Sequence, residues 1–96
     1  MNHSIYKINN VKVIQPYIVE VLFSTGEKRI IDLEPVLYGP FYSPLRDVTL
    51  FKRVIVNHEV HTIEWPNGAD FDPATLYNWD IDREEISQRL KELEMV

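Results

Sequence analysis

Cysteine is absent from this 96-residue chain. That excludes a disulfide framework, a thiolate zinc site and a cysteine nucleophile, and it fits a reducing, cytoplasmic setting. Glycine is scarce: the 3 glycines are widely spaced, so no glycine-rich phosphate loop can form. Ser24 lacks the Gly-x-Ser-x-Gly frame of a nucleophile elbow. No Glu-x-x-His or His-x-x-x-His pair marks a helical metal site. Long apolar runs are missing as well. The most apolar stretch, Tyr17 to Phe23, is interrupted by Glu20 and is far too short to cross a bilayer. Neither a membrane association nor a secretion signal at Met1–Lys7 is expected. With no catalytic motif and no cofactor signature, neither an enzyme nor a cofactor is expected.

Basic charge is also short. The chain holds 10 basic and 15 acidic residues, for a net charge of −5. The deficit concentrates in residues 80–96, where six acids meet three bases, whereas residues 1–49 hold five of each. An acidic domain gains no general electrostatic help onto nucleic acid. What the chain does have is apolar surface. At 45% hydrophobic and 11% aromatic residues, it can build a core, so disorder is not expected.

The pattern along the chain is mostly that of strands and turns. Val11 and Val13 alternate with Lys12 and Ile14. In Tyr17–Phe23, Val19, Val21 and Phe23 share one face, and Ile18, Glu20 and Leu22 share the other. Ser24–Glu27 is a turn, and Lys28–Leu33 returns with Ile31 and Leu33 facing one way. Glu34 to Pro44 reads as a loop, and Leu45–Arg53 as a short helix. Val54–Val56 and Val60–Trp65 read as a strand pair around Asn57-His58-Glu59, with Ile63 and Trp65 inward. Asp72-Pro73 has the chemistry of a helix start. Asp82-Arg83-Glu84-Glu85 resembles a capping box. Ile86, Leu90 and Leu93 then form an apolar stripe at helical spacing. The expected fold is α+β: a small antiparallel sheet of about four to five strands, short helices and a C-terminal amphipathic helix. Residues 1–79 form the α+β domain. Residues 80–96 form an acidic helix that belongs to it or serves as an interaction arm.

Several stretches resemble a known family. They are Val21-Leu22-Phe23 with Gly26-Glu27 and Asp32-Leu33; Gly39-Pro40 with Leu45-Arg46-Asp47 and Phe51; and Trp65-Pro66-Asn67-Gly68-Ala69-Asp70 with Asp72-Pro73 and Leu76-Tyr77. Together, over roughly Ile5 to Tyr77, they resemble the bacterial domain of unknown function 2442. The resemblance implies a compact α+β domain, in some members beside a toxin-like gene and in others fused to a helix-turn-helix. It implies no catalytic residue. The acidic end of this chain is too short for a helix-turn-helix.

Three sets of residues are candidates for function. Asp70 and Asp72, with His58 and His61 on the preceding hairpin, have the types needed for a metal or for acid–base work, although caps and turns use the same carboxylates. Tyr38, Phe41 and Tyr42 on the Gly-Pro segment, Trp79, and the Ile86, Leu90 and Leu93 stripe are candidates for a protein-binding surface, with Trp79 the more exposed tryptophan. Lys28-Arg29, Arg46 and Lys52-Arg53 could contact phosphates only if they converged. The reading placed first is a non-catalytic interaction or accessory domain, antitoxin-like in role, with a protein partner or a second copy. A nucleic-acid-associated regulator comes next, and a metal or catalytic protein last. Direct nucleic-acid binding is not expected.

Overall fold

A computed structural model describes residues 6–94. Ile5, where the family resemblance begins, lies outside the described residues. Among the described residues, five antiparallel strands divide between two sheets. The first sheet is a meander of β1 (Ile8–Gln15), β2 (Ile18–Phe23) and β3 (Lys28–Asp32). The second is the pair β4 (Ile55–Asn57) and β5 (Thr62–Glu64). The sheets meet where the Ile8 amide donates to the His61 carbonyl at 2.9 Å. The fold is α+β, and the period-two pattern of β2 explains why: Val19, Val21 and Phe23 are all buried, and so are Ile31 and Leu33 of the returning chain. On the opposite face Ile30 stands 68% exposed.

Two features of the first sheet differ from the sequence reading. The first strand begins at Ile8, and Tyr17 belongs to a turn. Gln15 pairs with Ile18, so Pro16-Tyr17 is a two-residue hairpin loop with Tyr17 at φ 70°. Proline suits the first loop position, but a left-handed tyrosine costs roughly 1–2 kcal/mol. Tertiary contacts offset that cost. The Tyr17 hydroxyl donates to the Arg46 carbonyl, its ring meets Phe51 edge-on at 5.5 Å, and its carbonyl accepts from the Leu33 amide at 2.7 Å.

Glu34 to Pro44, read as a loop, is instead a series of helical turns: a 3₁₀ turn at Glu34–Val36, α1 at Gly39–Tyr42, and a second 3₁₀ turn from Ser43 to Arg46. Proline enters each turn at its first or second position, where its missing N–H is harmless. The helix expected over Leu45–Arg53 breaks at Asp47, which is extended and caps α2 (Val48–Phe51) by accepting from the Thr49 amide. In the second hairpin Val60 and His61 belong to the turn, with His61 at φ 62°. Ile63 and Trp65 are inward as expected. Thr62 is buried too, because its hydroxyl donates to the Phe71 carbonyl at 2.5 Å.

After α3 (Pro73–Tyr77), α4 runs from Trp79 to Glu94. It starts a turn earlier than Asp82 suggested. Asn78 takes the cap position, its carbonyl accepting from the Ile81 and Asp82 amides at 2.9 and 3.1 Å. Asp80 and Asp82 sit in the first turn, where negative charge suits the helix dipole. The helix folds back on its own domain. Ile86 and Leu90 pack against the core, the Ser87 hydroxyl donates to the Pro35 carbonyl at 2.5 Å, and the Glu94 carboxylate accepts from the Gly39 amide at 2.8 Å. Gly39 has φ +84°, and the Leu90 and Leu93 methyls come within 3.8 Å of where its Cβ would stand.

Candidate functional site

The Trp65–Pro73 connector is the centre of the candidate site. Its first part is a tight hairpin: the Gly68 amide donates to the Trp65 carbonyl at 3.0 Å, and the Trp65 amide to the Ala69 carbonyl at 2.9 Å. Pro66 fits the first turn position, and Gly68 at φ +94° supplies the left-handed residue that a three-residue loop needs. Glu64 and Asp70 pair across the loop. Trp65 anchors the connector. It is buried, its indole Nε1 donates to the Phe51 carbonyl at 2.9 Å, and it packs against Phe51 and Phe71. Asp72 accepts from the Ala74 amide at 2.9 Å and caps α3, with Pro73 at the helix start.

Two hydrogen bonds dock α1 on this hairpin. Asn67 Nδ2 donates to the Phe41 carbonyl at 2.9 Å, and the Tyr42 hydroxyl donates to the Asp70 carbonyl at 2.6 Å. The Phe41 ring lies over Gly68. The Gly-Pro segment and the Trp-Pro-Asn-Gly segment are therefore one structural unit. Its assembly was not legible in the sequence, because an asparagine that accepts a turn and one that also braces a distant carbonyl look alike.

Asp70, Phe71 and Asp72 form a ridge between two clefts. One cleft, about 440 Å³, is lined by Tyr6, Lys7, His61 and Thr62 together with the ridge. The other, about 340 Å³, lies between α1, α3 and α4, where Tyr42, Thr75, Ile86, Arg89 and Leu90 face the ridge. Tyr42, Ile86 and Leu90, named separately from the sequence, thus meet in one groove. Phe41 and Leu93 stand 56% and 57% exposed on α1 and α4. Asp70 and Asp72 are exposed, and Arg89 pairs with Glu85 at 2.9 Å.

Two members of the expected surface are placed differently. Trp79 is buried, at 5% exposure, with Nε1 donating to the Asp32 carbonyl at 3.2 Å and its ring against Phe71 at 5.9 Å. The polarity of Asp80 was a poor guide, because successive helical residues point about 100° apart. Tyr38 is occupied within the chain, with Arg46 and Lys91 over its ring at 4.8 and 5.4 Å. The metal reading finds no support in the geometry. Among the described residues no three His, Asp or Glu groups could hold an ion. His61 lines the first cleft with Asp70 and Asp72, but His58 is not among its walls. The basic residues lie on separate elements. Arg29 is engaged by Glu27 and stacks on Tyr77, and Arg46 bonds the Leu37 carbonyl and Glu34.

Burial first, then the charge of Asp70, raises the Tyr42 phenol above its ordinary value of 10.0. A raised folded-state value means that this contribution to stability is whole below pH 10.0 and is lost as pH climbs through the folded-state value. Tyr42→Phe is expected to cost about 1 kcal/mol at neutral pH. It should also flatten the alkaline fall in denaturation midpoint. An unchanged alkaline slope would remove Tyr42 as its source. The Tyr77 hydroxyl donates to Glu27 at 2.6 Å, and that bond is the main cause holding the Glu27 carboxyl below its usual range.

Fold and site define a small α+β domain whose connector braces an apolar groove against a C-terminal helix. The chain belongs to the family described as protein of unknown function (DUF2442), whose model matches residues 8–82. The match reaches past Tyr77 into α4. No curated protein and no solved structure matches the chain.

Proposed function

We propose that this protein is a non-catalytic accessory domain, antitoxin-like in role, that binds a basic protein through the groove between α1 and α4. The observation that carries the reading is the convergence of Tyr42, Ile86 and Leu90 in one groove, with Phe41 and Leu93 exposed on α1 and α4, the helices that wall it. Aromatic and aliphatic anchors beside a partly apolar depression are what a protein interface uses. Charge identifies the partner's chemistry. Asp70 and Asp72 rim the groove, its one cation among the described residues, Arg89, is paired with Glu85, and the chain carries −5. The complementary surface presents lysine or arginine around an apolar side chain. A cytoplasmic setting suits a cysteine-free chain. The scattered and engaged bases make nucleic acid the weaker reading.

The test begins with affinity capture of the tagged protein from its native extract, with a nuclease-treated control, followed by titration of the purified partner. The expected partner is basic, stoichiometric and nuclease-resistant. Phe41→Asp is expected to weaken it roughly thirtyfold, the loss of about 2 kcal/mol typical of an interface anchor, with the circular dichroism unchanged. A partner bound equally well by Phe41→Asp, or recovery of nucleic acid alone, overturns the proposal.

A further inference from the structure

Asn67-Gly68 is a sequence in which a side-chain amide can be lost without any enzyme. The Gly68 backbone nitrogen attacks Asn67 Cγ, a carbon–nitrogen bond closes a five-membered imide, and the bond from Cγ to Nδ2 breaks to release ammonia. Water then adds to one of the two imide carbonyls, leaving aspartate or isoaspartate. Only water is consumed. Glycine in second place favours the ring because no Cβ crowds it.

The structure holds the leaving nitrogen, the amide oxygen and the attacking nitrogen of that reaction each in another hydrogen bond. Asn67 Nδ2, the leaving group, donates to the Phe41 carbonyl at 2.9 Å. Asn67 Oδ1 accepts from the Ala69 amide at 3.2 Å, so both polar atoms of the side chain are held and it must give up these bonds to reorient. The attacking nitrogen of Gly68 donates to the Trp65 carbonyl at 3.0 Å. The Phe41 ring lies over Gly68, and the Tyr42 hydroxyl fastens α1 to the Asp70 carbonyl beside that turn at 2.6 Å. We infer that Asn67 is a masked modification site: it hydrolyses only in conformations in which α1 has lifted from the connector, and its conversion keeps α1 from returning. The carboxylate left in place of the Asn67 amide has no proton for the Phe41 carbonyl and adds one negative charge beside it. Isoaspartate lengthens the backbone within a three-residue loop that is closed at both ends by the Trp65 hydrogen bonds. The site thus records how often the α1 wall of the groove has opened.

Peptide mapping by mass spectrometry, with isoaspartate detection, follows Asn67 in the full-length protein over days in native buffer and in urea. The native chain is expected to convert at least roughly tenfold more slowly than the unfolded one, as a reaction gated by local opening does. Tyr42→Phe should convert several-fold faster than the native chain while its circular dichroism is unchanged. Asn67→Asp reads the consequence separately: amide hydrogens of Gly39–Tyr42 should exchange faster than in the parent. Equal rates in native buffer and urea, or exchange at α1 unaffected by Asn67→Asp, would overturn the inference. No conversion in urea would do the same.

Discussion

Trp65→Ala is expected to destabilise the protein by about 3–5 kcal/mol, the usual cost of emptying a buried tryptophan site. A domain of this size has only about 5–15 kcal/mol in total, so a loss at the upper end leaves it marginal. Three terms add at this residue. The ring is 2% exposed and packs on Phe51 and Phe71, so both aromatics lose a wall. The Nε1–Phe51 bond of 2.9 Å disappears, leaving a carbonyl unpaired at about 1–3 kcal/mol if water cannot reach it. The Trp65–Ala69 hairpin also loses its anchor, although its backbone bonds remain. Thermal unfolding should shift down by on the order of 20 °C. Trp65→Phe separates the terms, because it keeps most of the packing and drops the hydrogen bond. A loss under about 1 kcal/mol for Trp65→Ala would mean that the site collapses without a cavity, and the connector would not be a structural keystone.

The parts of the fold that were legible in the sequence are those in which one residue's chemistry decides locally. The alternation of Val19, Val21 and Phe23 dictated a half-buried strand. Asp72-Pro73 dictated a helix start, and Asn67-Gly68 a tight turn. The parts that were not legible depend on distant residues. Tyr17 carries strong strand propensity, yet it turns the chain because Arg46, Phe51 and Leu33 hold it there. Glu34–Pro44 has the composition of a loop. Its prolines instead sit at turn starts under α4, where Ser87 and Glu94 satisfy the Pro35 carbonyl and the Gly39 amide. The candidate site shows the same division. Aromatic and apolar residues of the right kind were visible at Tyr42, Ile86 and Leu90. That they share a groove with Asp70 and Asp72, and that Trp79 lies under it against Phe71, depends on where α4 begins. A helix started at Asp82 would have left Trp79 in the linker.

That dependence makes α4 the place for the second large effect. Removing residues 80–96 is expected to abolish cooperative folding of what remains. The helix supplies Ile86 and Leu90 to the core and lies against the Glu34–Val36 turn and α1, so its loss exposes apolar surface around Val36 and Leu37, both fully buried in the intact chain. Four aliphatic side chains at about 1.5–3 kcal/mol each, discounted because Ile86 and Leu90 are only half-buried, amount to about 4–8 kcal/mol, comparable to the whole stability of such a domain. The losses at Pro35 and Gly39 add to it. The measurement is circular dichroism with thermal denaturation of the 1–79 fragment beside the full chain. The fragment should show no cooperative transition, and the full chain should melt at a temperature independent of its concentration, as a helix packed on its own domain requires. A fragment that melts like the intact protein would make α4 a detachable arm, and the groove it walls would exist only when the arm is down. A melting temperature that rises with concentration would instead place the helix on a second copy.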